Sequence, residues 1–334
     1  MREDKLNIRT WWKTFNRKNT YVLALGIFLV TTTIYLIQQP ALFEEGVATR
    51  LLTSNFRTWL PVILLGIGQA VVMLGGGLDL ASGSMVSLGN VILALTITTP
   101  EEPIKNLLVV LGVVAYGIFA GFLNGFFTAT LGLQPMITTF ATSFVYSGLA
   151  LLLMPNPAGA IPRDYTGFYR NTSFLGIPLA LYIIGLVLLL WRIVKNRQFG
   201  RYLFAAGGDP QAAYTTGIRV TRIRISTYMI SGFFAALAAI SYSLLTGSGS
   251  AISGNDMTLT SITAAILGGT ALSGGAGSLF GTVLGAIILG TFKNIISGAR
   301  VDSWYQVLIN ALFIILALAG PGLINLIRGR YQNE

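Results

Sequence analysis

The chain has 334 residues, 53% of them hydrophobic and only 10% charged, with a mean hydropathy of +0.70; a soluble domain carries roughly 25% charged residues, so a soluble globular protein is excluded. Lysine and arginine outnumber aspartate and glutamate by 22 to 12, a net charge of +10. Cysteine and histidine are both absent, which excludes disulfides and thiolate metal sites and removes the commonest metal ligand and general base.

The segment 1–20 holds Arg2, Lys5, Arg9, Lys13, Arg17 and Lys18 and precedes a first apolar run at 21–37. That run follows basic residues as a signal peptide would, but it lacks a small-residue cleavage site and reads as a retained anchor. Further apolar runs lie at 59–78, 80–99, 107–131, 136–154, 174–191, 225–245, 259–272, 279–296 and 304–319. Most match the about 20 residues needed to cross about 30 Å of hydrocarbon, the run at 259–272 being short. Lipid offers no partner to an exposed backbone amide, so the spans must be helices. The reading is an all-α, polytopic membrane protein of about ten spans. Gly117, Gly121 and Gly125, and likewise Gly277, Gly281 and Gly285, fall four apart and predict two small-residue ridges for close helix packing.

Charge sets the orientation. The N-terminal cations and the loop at 192–224, with Arg192, Lys195, Arg197, Arg201, Arg219, Arg222 and Arg224, belong on the cytoplasmic side. An even number of spans places both termini there, in keeping with Arg328 and Arg330 in the tail at 321–334. One transmembrane domain then covers 21–320. Outward-facing connections hold Pro100, Glu101, Glu102 and Pro103, and, at 155–173, Arg163, Asp164, Tyr165, Tyr169 and Arg170. This last loop is either an ordinary polar turn or a surface that receives a partner protein. The basic excess is what membrane topology requires, and nucleic acid is not an expected partner.

Within the long basic loop, residues 200–218 carry helix punctuation. Asp209 can cap, Pro210 suits the first helical position, 211–216 can form a short helix, and Gly217 can end it in a left-handed turn. So short a helix is unstable alone and must pack on something. A cytoplasmic partner is the favoured reading; the alternative is a solvated loop that only satisfies topology. No Gly-x-x-x-x-Gly-Lys-Ser/Thr occurs, so any ATP used is not bound here through a P-loop.

Three motifs, Gly76-Gly77-Leu78-Asp79-Leu80-Ala81-Ser82-Gly83-Ser84, Gly200-Arg201-Tyr202 with Ala206-Gly207-Gly208-Asp209-Pro210-Gln211-Ala212-Ala213 and Gly217-Ile218, and Gly268-Gly269-Thr270-Ala271-Leu272-Ser273-Gly274-Gly275 with Gly277-Ser278, resemble the ribose/xylose/galactose-type permeases of bacterial ABC importers. The likeness runs from about residue 59 to about residue 319 in the family's order and spacing. The chain departs from the usual Asp-Leu-Ser-Val-Gly-Ser by reading Asp79-Leu80-Ala81-Ser82-Gly83-Ser84. The resemblance implies a type II importer-like permease fold in the bacterial inner membrane. It implies assembly with a second permease, identical or paralogous, two ATP-binding domains and an extracytoplasmic solute-binding protein. ATP and Mg would sit on the ATPase subunit, leaving this chain without catalytic site, metal or cofactor of its own. The segment 209–216 matches the family's coupling helix, and Arg201, Gly208, Asp209, Pro210, Gln211, Ala212, Ala213 and Gly217 are the coupling candidates. The implied cargo is a monosaccharide, pentose or hexose; permeases for nucleosides and furanose signalling molecules share these motifs.

Asp79 stands between two apolar runs, where a charge costs at least about 2.5 kcal/mol, so it must face protein, water or a helix end. Two readings remain, a cap on the next helix after the break at Gly75–Gly77, which is favoured, and direct contact with substrate. The glycine stretch at 268–278 echoes the first and suggests an internal repeat with two broken helices. Gln69, Ser82, Ser84, Asn90, Asn124, Thr138, Thr139, Thr142, Ser273 and Asn294 are polar positions that either line a route for a small sugar-like solute or bond across helices. An ion-coupled secondary transporter is a weaker alternative, because only Asp79 and Lys293 are ionisable within the runs, and Lys293 can snorkel to the lipid interface.

Overall fold

The computed structural model describes residues 21–39, 46–299, 302, 304–309, 311–312 and 315. The segments 1–20 and 321–334 lie outside the described residues, as does much of the run expected at 304–319. The chain is built from α1 (Val22–Gln38), α2 (Val47–Leu74), α3 (Ser82–Thr96), α4 (Pro103–Ala129), α5 (Pro135–Leu153), α6 (Arg163–Asn171), a two-stranded hairpin of β1 (Ser173–Phe174) and β2 (Ile177–Pro178), α7 (Leu179–Asn196), α8 (Gln198–Gly208), α9 (Pro210–Thr215), α10 (Val220–Thr246), α11 (Asn255–Leu267) and α12 (Leu279–Gly298).

Six of these, α2, α4, α5, α7, α10 and α12, are long and apolar enough to cross a membrane. The expected span at 80–99 is reduced to the 15 residues of α3, because the chain uses 78–81 to leave a glycine turn. The run at 259–272 likewise stops at Leu267, where the second glycine turn begins.

The central element is α2. Every residue from Ile63 to Leu74 is buried, so this helix has no lipid face over its last three turns. It also begins at Val47, well before the apolar run at 59–78. Hydropathy hides this first part because it is rich in Thr, Ser, Asn and Arg, yet Thr53 and Thr58 fold their hydroxyls back onto the carbonyls four residues earlier, at 2.7 and 2.8 Å.

The ridge on α4 is a helix seam, and so is the part of the second ridge that lies within α12. The most extensive helix contact joins α4 to α10. A methyl group built on Gly117 would collide with the Gly232 carbonyl, one on Gly121 with the Tyr228 carbonyl, and one on Gly125 would lie 2.8 Å from Ile225 Cα. The descending partner numbers make the two helices antiparallel. On α12, Gly281 and Gly285 abut the carbonyls of Gly268 and Ala264 at the end of α11. Gly277 precedes α12 and packs instead against Thr270. Seams this tight bring main chains together, which is how helices associate where the solvent is as apolar as the side chains.

Candidate functional site

The chain leaves α2 through a left-handed glycine turn. Gly76 N–H donates to Met73 O at 2.9 Å and Gly77 N–H to Val72 O at 3.0 Å, with Gly76 at φ +79°, a conformation that penalises a Cβ. The exit from α11 repeats this pattern. Gly269 N–H donates to Ile266 O and Thr270 N–H to Ala265 O, both at 2.9 Å, with Gly269 at φ +87°. The echo between the two glycine stretches is thus a shared helix stop.

Beyond the first turn Asp79 is fully buried. Its Oδ1 accepts the Ala81 N–H at 3.0 Å and the Asn124 Nδ2 at 3.5 Å, and its Oδ2 accepts the Ser231 hydroxyl at 2.8 Å. Gln69, with its amide oriented so that both ends are satisfied, donates to Asp79 O at 3.0 Å and accepts from Asp79 N at 3.3 Å. The carboxylate faces protein, as the cost of burying it in lipid demands. The capping expectation needs correction in detail. Asp79 lies three residues ahead of Ser82, so it closes an Asx turn on Ala81 and does not reach the first-turn amides of α3. Those are served from elsewhere: Gly83 N–H by Thr258 of α11 and, just upstream, Leu80 N–H by Thr139 of α5, each at 3.0 Å.

The other expected polar positions are engaged in the same way. Asn124 Oδ1 accepts the Thr142 hydroxyl at 2.8 Å. Thr139 donates to Pro135 O at 2.8 Å, Thr138 to Gln134 O at 3.0 Å, and Ser82 to Asp79 O at 3.4 Å; Ser84 is buried on the same turn of α3. Asn90 is a separate hub. It donates to Ser243 Oγ and Ser248 O at 2.7 and 3.1 Å and accepts from Ser250 N and Ser253 Oγ at 2.9 and 3.1 Å, tying α3 to α10 and the connection after it. Asn294 donates to Asn55 at 3.0 Å, while Ser273 is exposed on the second glycine loop. Gln69, Asp79, Ser82, Asn124, Thr139 and Thr142 therefore form one enclosed network, and Asn90, Asn294 and Ser273 stand apart from it. Ser231, Thr258 and Asn55 were missed. Ser231, a lone hydroxyl in an apolar run, carries no signal of its partner, and Thr258 and Asn55 fall before the runs at 259–272 and 59–78.

At the basic end, α7 continues to Asn196 and is followed by α8 (Gln198–Gly208), so much of the expected loop at 192–224 is helical. Leu203 and Ala206 are buried, Arg201 and Gly208 are exposed, and Lys195 Nζ lies 5.6 Å from the centre of the Phe204 ring. Next comes α9, with the expected punctuation. Asp209 Oδ1 accepts the amides of Gln211 and Ala212, each at 3.0 Å, and Pro210 opens the helix. Gly217, at φ +84°, ends it while Ile218 N–H reaches back to Ala213 O at 3.1 Å. Ala213 anchors α9 inward. Gln211, Ala212 and Tyr214 are exposed, Tyr214 at 74%. A capped helix thus presents one uncovered face.

At the opposite end, the loop at 155–173 folds into α6. Tyr169 donates to Arg57 O at 2.9 Å and shares a 2.7 Å hydrogen bond with Ser241. Burial pushes its hydroxyl up to about 12, against the lowering effects of Ser241 and Arg57, so it stays protonated near neutral pH. Arg170 binds Leu245 O at 3.1 Å through Nε, and Arg57 binds Arg170 O at 3.0 Å. Tyr169 and Arg170 are committed to holding α6 against α2 and α10, leaving Arg163 and Asp164 exposed.

Six helices of membrane-crossing length and composition define a multi-pass membrane protein. The family described as branched-chain amino acid transport system / permease component matches residues 51–318, and the chain belongs to it. The chain is 34% identical over 259 residues to the ribose import permease protein of Bacillus subtilis, covering 76% of this chain and 79% of that one. It is 28% identical over 302 residues to the D-allose transport system permease protein of Escherichia coli, covering 90% and 92%, and 32% identical over 268 residues to the fructose import permease protein of Rhizobium meliloti, covering 77% and 73%. These relatives place the chain among sugar-import permeases of the ABC type. No solved structure matches it.

Proposed function

We propose that the chain is the membrane subunit of an ATP-driven importer for a monosaccharide, working by alternating access beside a second permease, identical or paralogous. Two ATP-binding domains drive it from the cytoplasm, with ATP and Mg held there, and an extracytoplasmic solute-binding protein delivers the sugar. In this reading the chain lies in the bacterial inner membrane with about ten spans and both termini cytoplasmic, since the cations of 192–224 and the N-terminal segment mark that side.

The observation that carries the reading is α9. A helix of six residues, capped by Asp209 and stopped by Gly217, leaves Gln211, Ala212 and Tyr214 uncovered at the basic end. A helix too short to be stable alone, yet rigidly capped, suits docking into a groove of an ATPase and passing on its displacement. Arg201, Gly208, Pro210 and Ala213 complete the docking element. The enclosed network around Asp79 has the complementary part of keeping α3 and its turn a single body, so that displacement moves the broken helix as a unit.

The deciding experiment is sugar-stimulated ATP hydrolysis and uptake in liposomes that hold the chain with its ATPase and binding protein. The double variant Asp209→Ala/Gln211→Ala is expected to lose both activities while the complex still assembles. Unchanged hydrolysis and uptake would remove the coupling assignment, and uptake without the ATPase would favour an ion-coupled carrier. A panel of pentoses, hexoses and nucleosides in the same vesicles identifies the cargo.

A further inference from the structure

The three glycine-rich segments that stand far apart in the sequence meet at one place. A methyl group built on Gly207, at the end of α8, would collide with the Leu74 carbonyl oxygen and lie 2.8 Å from Gly275 N. One built on Gly274 would lie 2.5 Å from Gly207 O and 2.8 Å from Gly76 Cα, and one on Gly275 would run into the main chain of Gly208. Gly275 N–H donates to Leu74 O at 3.0 Å, so the second glycine loop satisfies a carbonyl at the end of α2. Gly76, Gly274 and Gly275 all have positive φ, at +79°, +87° and +69°.

We propose that these segments form a backbone clamp, with Gly76, Gly207 and Gly274 as positioning residues, that ties the base of α9 to both helix stops at once. The proposal rests on the reading of α9 as the coupling element. Asp209, the cap of α9, follows Gly207 by two residues and continues α8 through its own N–H to Ala205 O at 3.1 Å. Displacement of α9 therefore reaches Gly207 with no flexible linker between. From Gly207 it meets the α2–α3 turn through Leu74 and Gly76, and the α11–α12 loop through Gly274 and Gly275. The contacts are main chain on main chain, so no side-chain rotamer can absorb the movement, and close-packed contacts transmit strain. Both broken helices are thus driven together from one point.

Two measurements on the full complex test this. The chain has no cysteine, so spin labels can be placed through Thr216→Cys with Leu272→Cys, or Thr216→Cys with Arg163→Cys, one labelled copy per complex; all three positions are exposed. Between the nucleotide-free and ATP-bound states the Thr216–Leu272 distance is expected to hold while the Thr216–Arg163 distance changes. A changed Thr216–Leu272 distance overturns the clamp and leaves the coupling helix standing. If neither distance changes, α9 does not move and both readings fall. The second measurement uses Gly274→Ala, expected to lower sugar uptake about tenfold with the ATPase still bound. Uptake at the wild-type level would overturn the clamp independently of Asp209→Ala/Gln211→Ala, which tests α9 alone.

Discussion

The exits from α2 and α11 use the same left-handed glycine stop, with matching hydrogen bonds around Gly76 and Gly269, and then part company. After the first, the chain turns inward. Asp79 is fully enclosed, and the amides freed by the break are taken by the side chains of Thr139 and Thr258 from other helices. After the second, Leu272 is 58% exposed, Gly275 N–H donates to Leu74 O at 3.0 Å, and the chain enters α12 under its own cap, Ser278, whose hydroxyl accepts the Gly281 amide at 3.4 Å. The helix entered after the first stop has its freed amides taken by distant side chains, whereas the helix entered after the second carries a local cap. A helix break within a membrane protein must satisfy its backbone either way, but only at the first does the entry into the next helix depend on side chains of distant helices.

Removing the buried carboxylate should cut deepest into this contrast. Asp79→Ala strands the Ser231 hydroxyl, the Asn124 amide and the Ala81 N–H, and is expected to lower stability by about 3 kcal/mol, read from thermal melting in detergent. Asp79→Asn retains an acceptor and should lose clearly less; equal losses would mean that the charge, and not the hydrogen-bonding pattern, supports the first break. Gly76→Ala and Gly269→Ala come next, each expected to cost about 1–2 kcal/mol for forcing a Cβ into the left-handed region. Matching losses would sharpen the equivalence of the two stops, and a neutral substitution at either would end it. The caps give the smallest effects. Thr258→Val removes the acceptor of a buried amide and should cost about 1 kcal/mol, whereas Ser278→Ala, with its long and partly solvated bond, should fall near the lower limit of about 0.5 kcal/mol for a lost cap. A larger loss at Ser278 than at Thr258 would reverse the assignment of distant and local support.

Legibility in the sequence follows the range of the interaction. The cap of α9 is written within nine residues, Asp209 to Gly217, and needs no knowledge of the fold; the structure has each part in place. The ridge on α4 was equally readable because helical spacing alone puts Gly117, Gly121 and Gly125 on one face. Hydropathy located the apolar part of α2 but not its polar beginning, since Thr, Ser and Arg lower the average while their side chains bond back to the helix or to α6. It likewise passed over α8, whose buried residues are Gly200, Leu203, Ala206 and Gly207, a single large hydrophobe among them. The hydroxyl partner of Asp79 was beyond reach for another reason. Ser231 is an unremarkable hydroxyl in the run at 225–245, and it reaches the carboxylate because α10 packs on α2, with Ser231 against Gly68. The meeting of three glycine segments is hidden in the same way, because each segment reads locally as a turn.

The distance along the chain between Asp79 and Ser231, 152 residues, has a consequence for synthesis. At about 5–20 residues per second a ribosome needs roughly 8–30 s to make Ser231 after Asp79 has emerged. Throughout that interval the nascent chain carries a carboxylate whose Oδ2 partner does not yet exist. A chain truncated before α10 keeps that unfinished carboxylate for good.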